Sequence, residues 1–440
     1  MKRAVDYHLN QWVVDPHRKP LLLRGARQVG KTYAVRQLAK RFPDFVEINF
    51  EKQPALKNIF EKDLVSDRIM LELSLITGKR ITPGKTLLFL DEIQAAPLAI
   101  TALRYFYEEI PKLHVIAAGS LLDFTLEEVG FPVGRVNSLY MYPLSWLEFL
   151  LAKGEDPLFD YLRERTLANP TSEAIHEKLL GLLGEYFAIG GMPEVVLNWV
   201  NTKNPHQCFK IQQDLVDAYR QDFQKYAKKH QIKYVSVLFE NIPRLITKKF
   251  KFSDIPGEFR KRELTPCLEL LSKGNIAHLI HHTSAQGLPL GAQTKSDHFK
   301  TIFLDIGLAQ RILGLDLKEW LLNPMQAFVN QGAITEAFVG QEMLAYADPF
   351  EKQKLYYWQQ ETSGSQAEVD YIIQLKGDIV PVEVKSGTTG HLKSLHAFLK
   401  NHTVPYALRF SSRNYSQHDP IHSYPLYAIA TSFGYDYAQL

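Results

Sequence analysis

The sequence has few cysteines, little net charge and no long apolar run. Only two of its 440 residues are cysteines, Cys208 and Cys267, which are too few for a disulfide framework or a zinc site. No segment approaches the roughly 18 uncharged apolar residues that a membrane span requires. The start of the sequence also lacks the apolar core of a secretion signal. We therefore expect a cytoplasmic protein with no membrane partner.

The charge that is present is unevenly distributed. The whole chain carries a formal net charge of +3, but residues 225–262 contain eleven lysines and arginines against three acids, a local charge of +8. A basic block in an otherwise slightly acidic chain favours contact with a polyanion such as DNA. A solvated helix face would give the same pattern, and charge alone does not decide between the two interpretations.

The segment 20–41 has the pattern of a nucleoside-triphosphate-binding loop. An apolar strand at 20–24 precedes the sequence G-x-x-x-x-G-K-T, and a helix is predicted at 33–41. The glycines allow a tight turn whose N–H groups face phosphates, and the helix N-terminus favours negative charge. Lys31 is expected to reach the β- and γ-phosphates of ATP, and Thr32 to bind Mg²⁺. The expected ATP-binding residues of this loop are Gly25, Ala26, Arg27, Gln28, Val29, Gly30, Lys31 and Thr32.

A second apolar strand, at 86–90, ends in two acids, Asp91 and Glu92. Its consecutive apolar residues suit a central parallel strand that is buried on both faces. After a phosphate-binding loop, Asp91 is expected to hold Mg²⁺ and Glu92 to polarise the attacking water. The pair favours ATP hydrolysis over nucleotide binding alone.

Two further residues are candidates for the nucleotide site. A third predicted strand ends at Ser120, which can sense a γ-phosphate or, equally, act as the N-cap of the next helix. Arg135 is a candidate to reach a γ-phosphate in its own subunit or in a neighbouring one. Most arginines are solvated surface groups, which is the alternative interpretation.

The rest of the chain divides by pattern into three regions after an α/β domain at 1–150. Residues 151–229 have apolar residues at helical spacing and are interpreted as a helical lid. Residues 230–322 show three predicted helices: one at 234–250 that Pro243 kinks or ends, a short one after Ser253, and one at 264–272. Two strands follow, which gives the order of a winged helix, and the region carries most of the basic block. Winged helices bind DNA or proteins, and both remain open.

Residues 323–440 are predicted to follow an α-β-β-β-α-β order, with the first strand at 355–359 and acids placed on the next two strands. Asp370 lies on one strand, and Glu383 and Lys385 lie on the next. Two carboxylates can hold Mg²⁺, with Glu336 from the preceding helix as a third acid, and Lys385 can orient the metal-bound hydroxide. This set is what metal-dependent phosphodiester cleavage needs. The alternative is a polar strand face with an internal Glu–Lys pair.

Taken together, these segments resemble the prokaryotic AAA-type P-loop ATPases whose C-terminal part is a DUF4143-like domain of unknown function ending in a nuclease-like module. The motifs that carry the resemblance are GARQVGKT (25–32), LLFLDEIQ (87–94), AAGS (117–120), YPLSWLEF (142–149), GGMPEVV (190–196), FLDIGLA (303–309), TEAFVGQEM (335–343), YYWQ (356–359), EVDYII (368–373) and PVEVKSG (381–387). The resemblance implies an ASCE P-loop fold with Lys31, Thr32, Asp91 and Glu92 as functional positions. It also implies a restriction-endonuclease-like module with a PD-(D/E)xK motif at Asp370, Glu383 and Lys385.

Two functions are consistent with these features. The first is an ATPase that couples its nucleotide state to DNA binding and cleavage. The second is a nucleotide-switched signalling or scaffold ATPase that binds a protein partner, with a structural nuclease-like module. A metabolic kinase is less consistent, because no acceptor-binding motif is present. A homo-oligomer is plausible, since P-loop ATPases often complete a site with a neighbour's arginine.

Overall fold

The computed structural model describes residues 1–120, 122, 125–126, 130, 132–315, 317–360, 367–386 and 392–440, without the side chains of 224–226 and 296. The side chain of Lys225 and the last residue of the PVEVKSG motif therefore lie outside the described residues. The described parts of the chain form an α/β fold with two sheets, one of five strands and one of eight.

The first sheet is parallel throughout, with the strand order β2-β3-β4-β1-β5. Every residue of β3 and β4 is buried, as expected for apolar strands covered by helices on both faces. The strands are β1 (Leu21–Arg24), β2 (Asp44–Asn49), β3 (Thr86–Asp91), β4 (His114–Ala118) and β5 (Asn137–Tyr140). Strand β5 was not predicted from the sequence.

Helices cover the two faces of this sheet. They are α1 (Ala4–Val14), α2 (Lys31–Ala39), α3 (Asn58–Lys62), α4 (Ser66–Thr77) and α5 (Pro97–Glu109). The helix predicted at 33–41 begins two residues earlier, at Lys31, because Gly30 takes a left-handed conformation and serves as its N-cap.

A block of helices follows the sheet, as the apolar spacing predicted. Its members are α6 (Trp146–Ala152), α7 (Asp156–Arg163), α8 (Glu173–Ile189), α9 (Pro193–Thr202) and α10 (Pro205–Tyr226). The break between α8 and α9 is fixed by Asp305, whose carboxylate accepts a hydrogen bond from the Gly191 N–H at 2.7 Å. A side chain at Gly190 would collide with that carboxylate, and one at Gly191 with the Leu144 carbonyl oxygen, which explains the glycine pair.

The segment 232–303 contains α11 (Ile232–Leu245), α12 (Lys261–Lys273), β6 (Ala277–Thr283) and β7 (Thr294–Phe303). Two helices predicted here are shorter in the structure. The helix expected at 234–250, with a kink or an end at Pro243, ends at Leu245, because the following residues bond to β7 through the Thr247 and Phe250 N–H groups. The helix expected after Ser253 is a single 3₁₀ turn, Phe252–Asp254.

The remaining elements follow the predicted α-β-β-β-α-β order and extend it. They are α13 (Ile306–Leu313), α14 (Lys318–Leu322), α15 (Pro324–Asn330), α16 (Gly332–Ala345), β8 (Leu355–Gln359), β9 (Glu368–Leu375), β10 (Asp378–Lys385), α17 (Lys393–Asn401), β11 (Ala407–Ser411), β12 (Ser416–His418), β13 (Ile421–Pro425) and α18 (Ile429–Ser432).

The second sheet joins the β6–β7 ribbon to the C-terminal strands. Its order is β12-β13-β11-β10-β9-β8-β6-β7, and β6 pairs with β8 in parallel. The ribbon therefore lies in the same sheet as β9 and β10, across the boundary predicted at 322/323. One apolar core runs from the first sheet through the helical block to this second sheet. Among the described residues, no helix is both long and apolar enough to cross a membrane.

A candidate nucleotide site and an acidic cluster

The loop between β1 and α2 has the backbone conformation of a phosphate-binding loop. Gly25, Gln28 and Gly30 all have positive φ angles, of 144°, 63° and 102°. A Cβ at Gly25 would collide with the carbonyl oxygen of Met141, so only glycine fits there. The loop thereby leads directly into the N-terminus of α2, where backbone N–H groups are free to meet an anion.

The Lys31 ammonium lies inside this loop. Its Nζ donates hydrogen bonds to the carbonyl oxygens of Gly25 and Ala26, at 2.9 and 2.7 Å. Burial lowers the pKa of Lys31 to about 8, and the nearby carboxylates of Glu92 and Asp91 oppose that shift. The lysine is therefore held at the loop by weak neutral acceptors, which the phosphate oxygens of a nucleotide can replace with charged ones.

Thr32 and Asp91 lie side by side, as a magnesium site requires. The Thr32 hydroxyl lies 3.2 Å from an Asp91 carboxylate oxygen, and the Asn49 amide donates to the same oxygen at 3.1 Å. Burial raises the pKa of Asp91. A hydroxyl beside a carboxylate is an all-oxygen donor set, which fits Mg²⁺. Asn49 was not predicted as a site residue. Its polar side chain ends β2, directly beside Asp91 of β3, which could have indicated a place in the site.

Glu92 follows Asp91 in a left-handed conformation, with φ at 52°. Its carboxylate accepts a hydrogen bond of 2.6 Å from the Gln94 side chain, and burial raises its pKa. Because of this conformation, the chain leaves the direction of β3 at Glu92. Glu92 thus lies at the carboxyl edge of the sheet, where the phosphate-binding loop also lies. Gln94, which orients Glu92, is a second residue that the sequence analysis did not identify.

Ser120 is buried at the end of β4 and lines a small cleft with Arg27, Tyr219 and Asp222. The structure therefore brings Ser120 to the side of the phosphate-binding loop. The alternative role of Ser120, as the N-cap of the next helix, depends on residue 121, which lies outside the described residues.

Arg135 is not brought to the nucleotide site of its own chain. It lies two residues before β5, and β5 starts beside Leu21, the first residue of β1. Arg135 is thus at the amino edge of a parallel sheet, opposite the edge where the phosphate-binding loop follows Arg24. There its guanidinium pairs with Glu108 of α5 at 2.7 Å. The expected role within its own subunit is corrected, and a role in a neighbouring subunit stays a prediction.

Two elements outside the sheet bind the phosphate-binding loop. On α10, Asp222 accepts two hydrogen bonds of 2.6 Å from the Arg27 guanidinium, and the Tyr219 hydroxyl donates to the Arg27 carbonyl oxygen at 2.5 Å. From the N-terminus, Arg3 donates to the Val29 carbonyl oxygen at 3.1 Å and pairs with Glu148 at 2.9 Å. These contacts were not predicted, because all except that of Arg3 with Val29 join residues more than 140 positions apart.

A second polar site lies on the larger sheet and contains the predicted nuclease-like residues. The Lys385 ammonium pairs with Glu383 at 2.5 Å, and Asp370 accepts a hydrogen bond of 2.7 Å from the Val384 N–H. Burial raises the pKa values of both acids, that of Glu383 to about 7. The predicted internal Glu–Lys pair is therefore present.

A lysine that the sequence did not single out occupies the middle of this acidic cluster. Lys300 of β7 is completely buried, and its Nζ pairs with Glu336 at 3.1 Å and with Glu368. The charge of Asp370 also acts on it. We call Glu336, Glu368, Asp370, Glu383, Lys385 and Lys300 the acidic cluster.

The acidic cluster does not fit a metal ion as it stands. No three His, Cys, Asp or Glu side chains converge as a metal-binding group anywhere in the described residues. Glu336, Asp370 and Glu383 act on one another through their charges but do not form the predicted ligand set. The Lys300 ammonium lies among them, paired with Glu336.

Comparison with known protein families divides the chain into three matched segments. Residues 17–150 match an AAA domain, residues 180–319 match a domain of unknown function (DUF8612), and residues 331–429 match a domain of unknown function (DUF4143). No curated protein matches the chain. With the loop geometry around Lys31, Thr32 and Asp91, the AAA match defines the class: this is a P-loop ATPase. More particularly, it is one that carries a C-terminal DUF4143 domain.

Solved structures with similar chain paths are distant. The Walker-type ATPase of Pyrococcus abyssi is 14% identical, with a TM-score of 0.46 over 71% of this chain and 95% of its own. A signal transduction ATPase with numerous domains and a tetratricopeptide repeat sensor, from Pyrococcus horikoshii, is 12% identical, with a TM-score of 0.24 over 77% and 47%. PCH-2 of C. elegans is 13% identical, with a TM-score of 0.21 over 62% and 65%. At these values the likenesses carry no information about function.

Proposed function

We propose that this chain is an ATP-hydrolysing switch in which the phosphate-binding loop controls the position of helix α10. The observation that carries the proposal is the double attachment of Arg27 to α10, through its guanidinium to Asp222 and through its carbonyl oxygen to Tyr219. Any shift of the loop when phosphates bind would act on both contacts at once, so binding energy at the loop can reach the helix.

The residues of the site support hydrolysis in the following way. Lys31 and the loop N–H groups would bind the phosphates, and Thr32 and Asp91 would hold Mg²⁺, which would neutralise phosphate charge. Glu92, oriented by Gln94, accepts a proton from the water that attacks the γ-phosphorus. The bond between that phosphorus and the bridging oxygen breaks, and ADP and phosphate leave. Ser120 responds to whether the γ-phosphate is present.

The switch is tested by hydrogen exchange of the backbone amides of residues 205–226, with and without ATP. We expect ATP to change the exchange of this helix in the wild type and not in Lys31→Ala, in which ATP cannot be held. ATP hydrolysis by the wild type without any change in exchange at 205–226 would refute the coupling while leaving the ATPase intact.

A second candidate function, contact with a polyanion such as DNA, is favoured by the region into which α10 leads. Helix α10 ends at Tyr226, where the basic segment 225–262 begins. Many basic side chains of this segment are exposed: Lys228, Lys229, Lys233, Arg244, Lys248, Lys251, Arg260, Lys261 and Arg262. In this region α11, a single 3₁₀ turn, α12 and the β6–β7 ribbon stand where the winged helix was predicted. Such a surface would neutralise several phosphates at once.

This candidate is tested by fluorescence anisotropy of labelled duplex DNA at several salt concentrations. Binding should weaken steeply with salt, and a combined Lys228→Ala, Lys229→Ala and Lys233→Ala variant should reduce both affinity and the salt slope. A matched control exchanges Lys2, Lys19 and Lys40, which belong to the ATPase domain. Equal affinities for both variants would count against a site at 225–262 and favour a protein partner.

A further inference from the structure

We propose that the Lys300 ammonium takes the place of the metal ion in the acidic cluster, so that the nuclease-like module of the wild type is closed to divalent cations by its own lysine. The inference is independent of the proposed switch, since it concerns the second sheet alone. The inference depends on the position of Lys300, which belongs to β7, whereas the acids of the cluster come from the later segment 336–383.

The surroundings of Lys300 are those of a built cation site. Its side chain has no exposed surface, and its Nζ pairs with Glu336 of α16 and Glu368 of β9. The face of the Tyr357 ring lies 5.1 Å from the ammonium, on β8. Two carboxylates and an aromatic face therefore surround one charge, which satisfies an ammonium without any water or metal.

Packing of α16 against the sheet fixes the position of Glu336. The Tyr371 hydroxyl donates to the Glu336 carbonyl oxygen at 2.8 Å and fixes α16 against β9. A side chain at Gly340 would collide with that hydroxyl, so the glycine allows α16 to lie this close to the sheet. Glu336 is consequently kept within reach of Lys300 by the backbone on which it stands.

A divalent ion would have to compete with Lys300 for the same oxygens. Mg²⁺ and Mn²⁺ need several oxygen ligands at short distances, and Glu336 already accepts from Lys300 while Asp370 accepts from the Val384 N–H. Of the carboxylate oxygens in the cluster, Glu383 Oε2 is buried without a hydrogen-bond partner among the described residues. Removing Lys300 should therefore leave Glu336 and Asp370 without their buried cation, beside Glu383, which keeps its pair with Lys385, and such a set of acids can accept a metal.

The test is calorimetric titration of Mn²⁺ into nucleotide-free protein. For the wild type we expect no Mn²⁺ binding that is sensitive to Asp370→Asn. For Lys300→Met, which keeps the length of the side chain without its charge, we expect a new site at least about tenfold tighter than any in the wild type. That site should disappear in Lys300→Met combined with Asp370→Asn. Lys295→Met, on the same strand but exposed, is the matched control and should gain nothing.

Three results would overturn the proposal. The first is Mn²⁺ binding by the wild type that is lost in Asp370→Asn, and the second is Mn²⁺-dependent DNA cleavage by the wild type that is lost in the same variant. The third is a folded Lys300→Met protein that gains no site. If Lys300→Met does not fold, Lys300→Gln serves in its place, and the wild-type titration tests the proposal without any variant of Lys300.

Discussion

Arg27 of the phosphate-binding loop and Asp222 of helix α10 are joined by two hydrogen bonds of 2.6 Å across 195 positions of sequence. The Asp222 side chain is 13% exposed and that of Arg27 32%, so the pair is partly screened from water. An ion pair at such a position links a nucleotide-binding loop to a helix that leads into the basic segment.

The first prediction concerns this pair. Asp222→Asn removes the charge but keeps the shape, so we expect α10 to be held less firmly by the loop. Backbone amides of 205–226 should exchange faster without ATP, and the change on adding ATP should shrink. ATP hydrolysis should continue, because Asp222 is not among the residues proposed to bind the phosphates, Mg²⁺ or the attacking water. Asp217→Asn is the matched control, since Asp217 pairs with Arg220 on the same helix. An unchanged exchange pattern in Asp222→Asn would show that the pair does not couple the two elements.

The second prediction concerns Glu92. Glu92→Gln keeps the contact with Gln94 but cannot accept a proton from water, so ATP turnover should fall by about a hundredfold or more. Binding of a fluorescent ATP analogue should persist, since the phosphates are held by Lys31 and the loop. The control is Glu47→Gln on neighbouring β2, whose carboxylate pairs with the exposed Arg36. Turnover by Glu92→Gln close to that of the wild type would mean that another group activates the water.

The third prediction concerns Arg135. Because its guanidinium pairs with Glu108 at the amino edge of the sheet, Arg135→Ala should leave ATP turnover within about twofold of the wild-type value, in line with the small contribution of exposed ion pairs. Steady-state hydrolysis over a range of protein concentrations measures this. A loss of tenfold or more would point instead to a site completed by the arginine of a neighbouring subunit.

Short sequence motifs were enough to predict the nucleotide-binding loop and the acids after β3. Residues that reach a site only through pairing of distant strands could not be predicted in this way. The G-x-x-x-x-G-K-T segment and the acids after β3 contain their own geometric signals, and the strand at 355–359 has its predicted bounds. Lys300, by contrast, enters the acidic cluster only because β6 pairs with β8 across a long stretch of chain. No periodicity in β7 marks that side chain as a partner of Glu336.

Tertiary contacts also shortened helices that propensity favours. The chain after Leu245 extends to bond with β7, so the predicted helix stops five residues early. The prediction for Arg135 failed for a related reason: without β5, nothing in the sequence tells which edge of the sheet the residue faces. A residue just before a parallel strand lies at the amino edge, and recognising that strand was the missing step.

The last prediction is a pH dependence at the junction between the two sheets. Glu342 of α16 is buried, and its carboxylate oxygens accept from the Trp146 N–H at 3.0 and 3.1 Å, at the start of α6. Burial raises the pKa of Glu342 to about 8. Between about pH 4.5, its ordinary value in an unfolded chain, and pH 8, the folded state holds a proton that the unfolded state has lost. The free energy of unfolding therefore falls as pH rises through this window, by at most about 1.4 kcal/mol for each pH unit.

Glu342→Gln cannot ionise and keeps a carbonyl oxygen for the Trp146 N–H, so it should not share this decline. We expect the melting temperature of the variant, relative to that of the wild type, to rise steadily between pH 5 and pH 8 in thermal unfolding experiments. Glu269→Gln changes an exposed glutamate of α12 and should show a constant difference from the wild type over the same range. A difference for Glu342→Gln that stays flat or falls with pH would mean that Glu342 is ionised in the folded protein, and that its charge is stabilised where the two sheets meet.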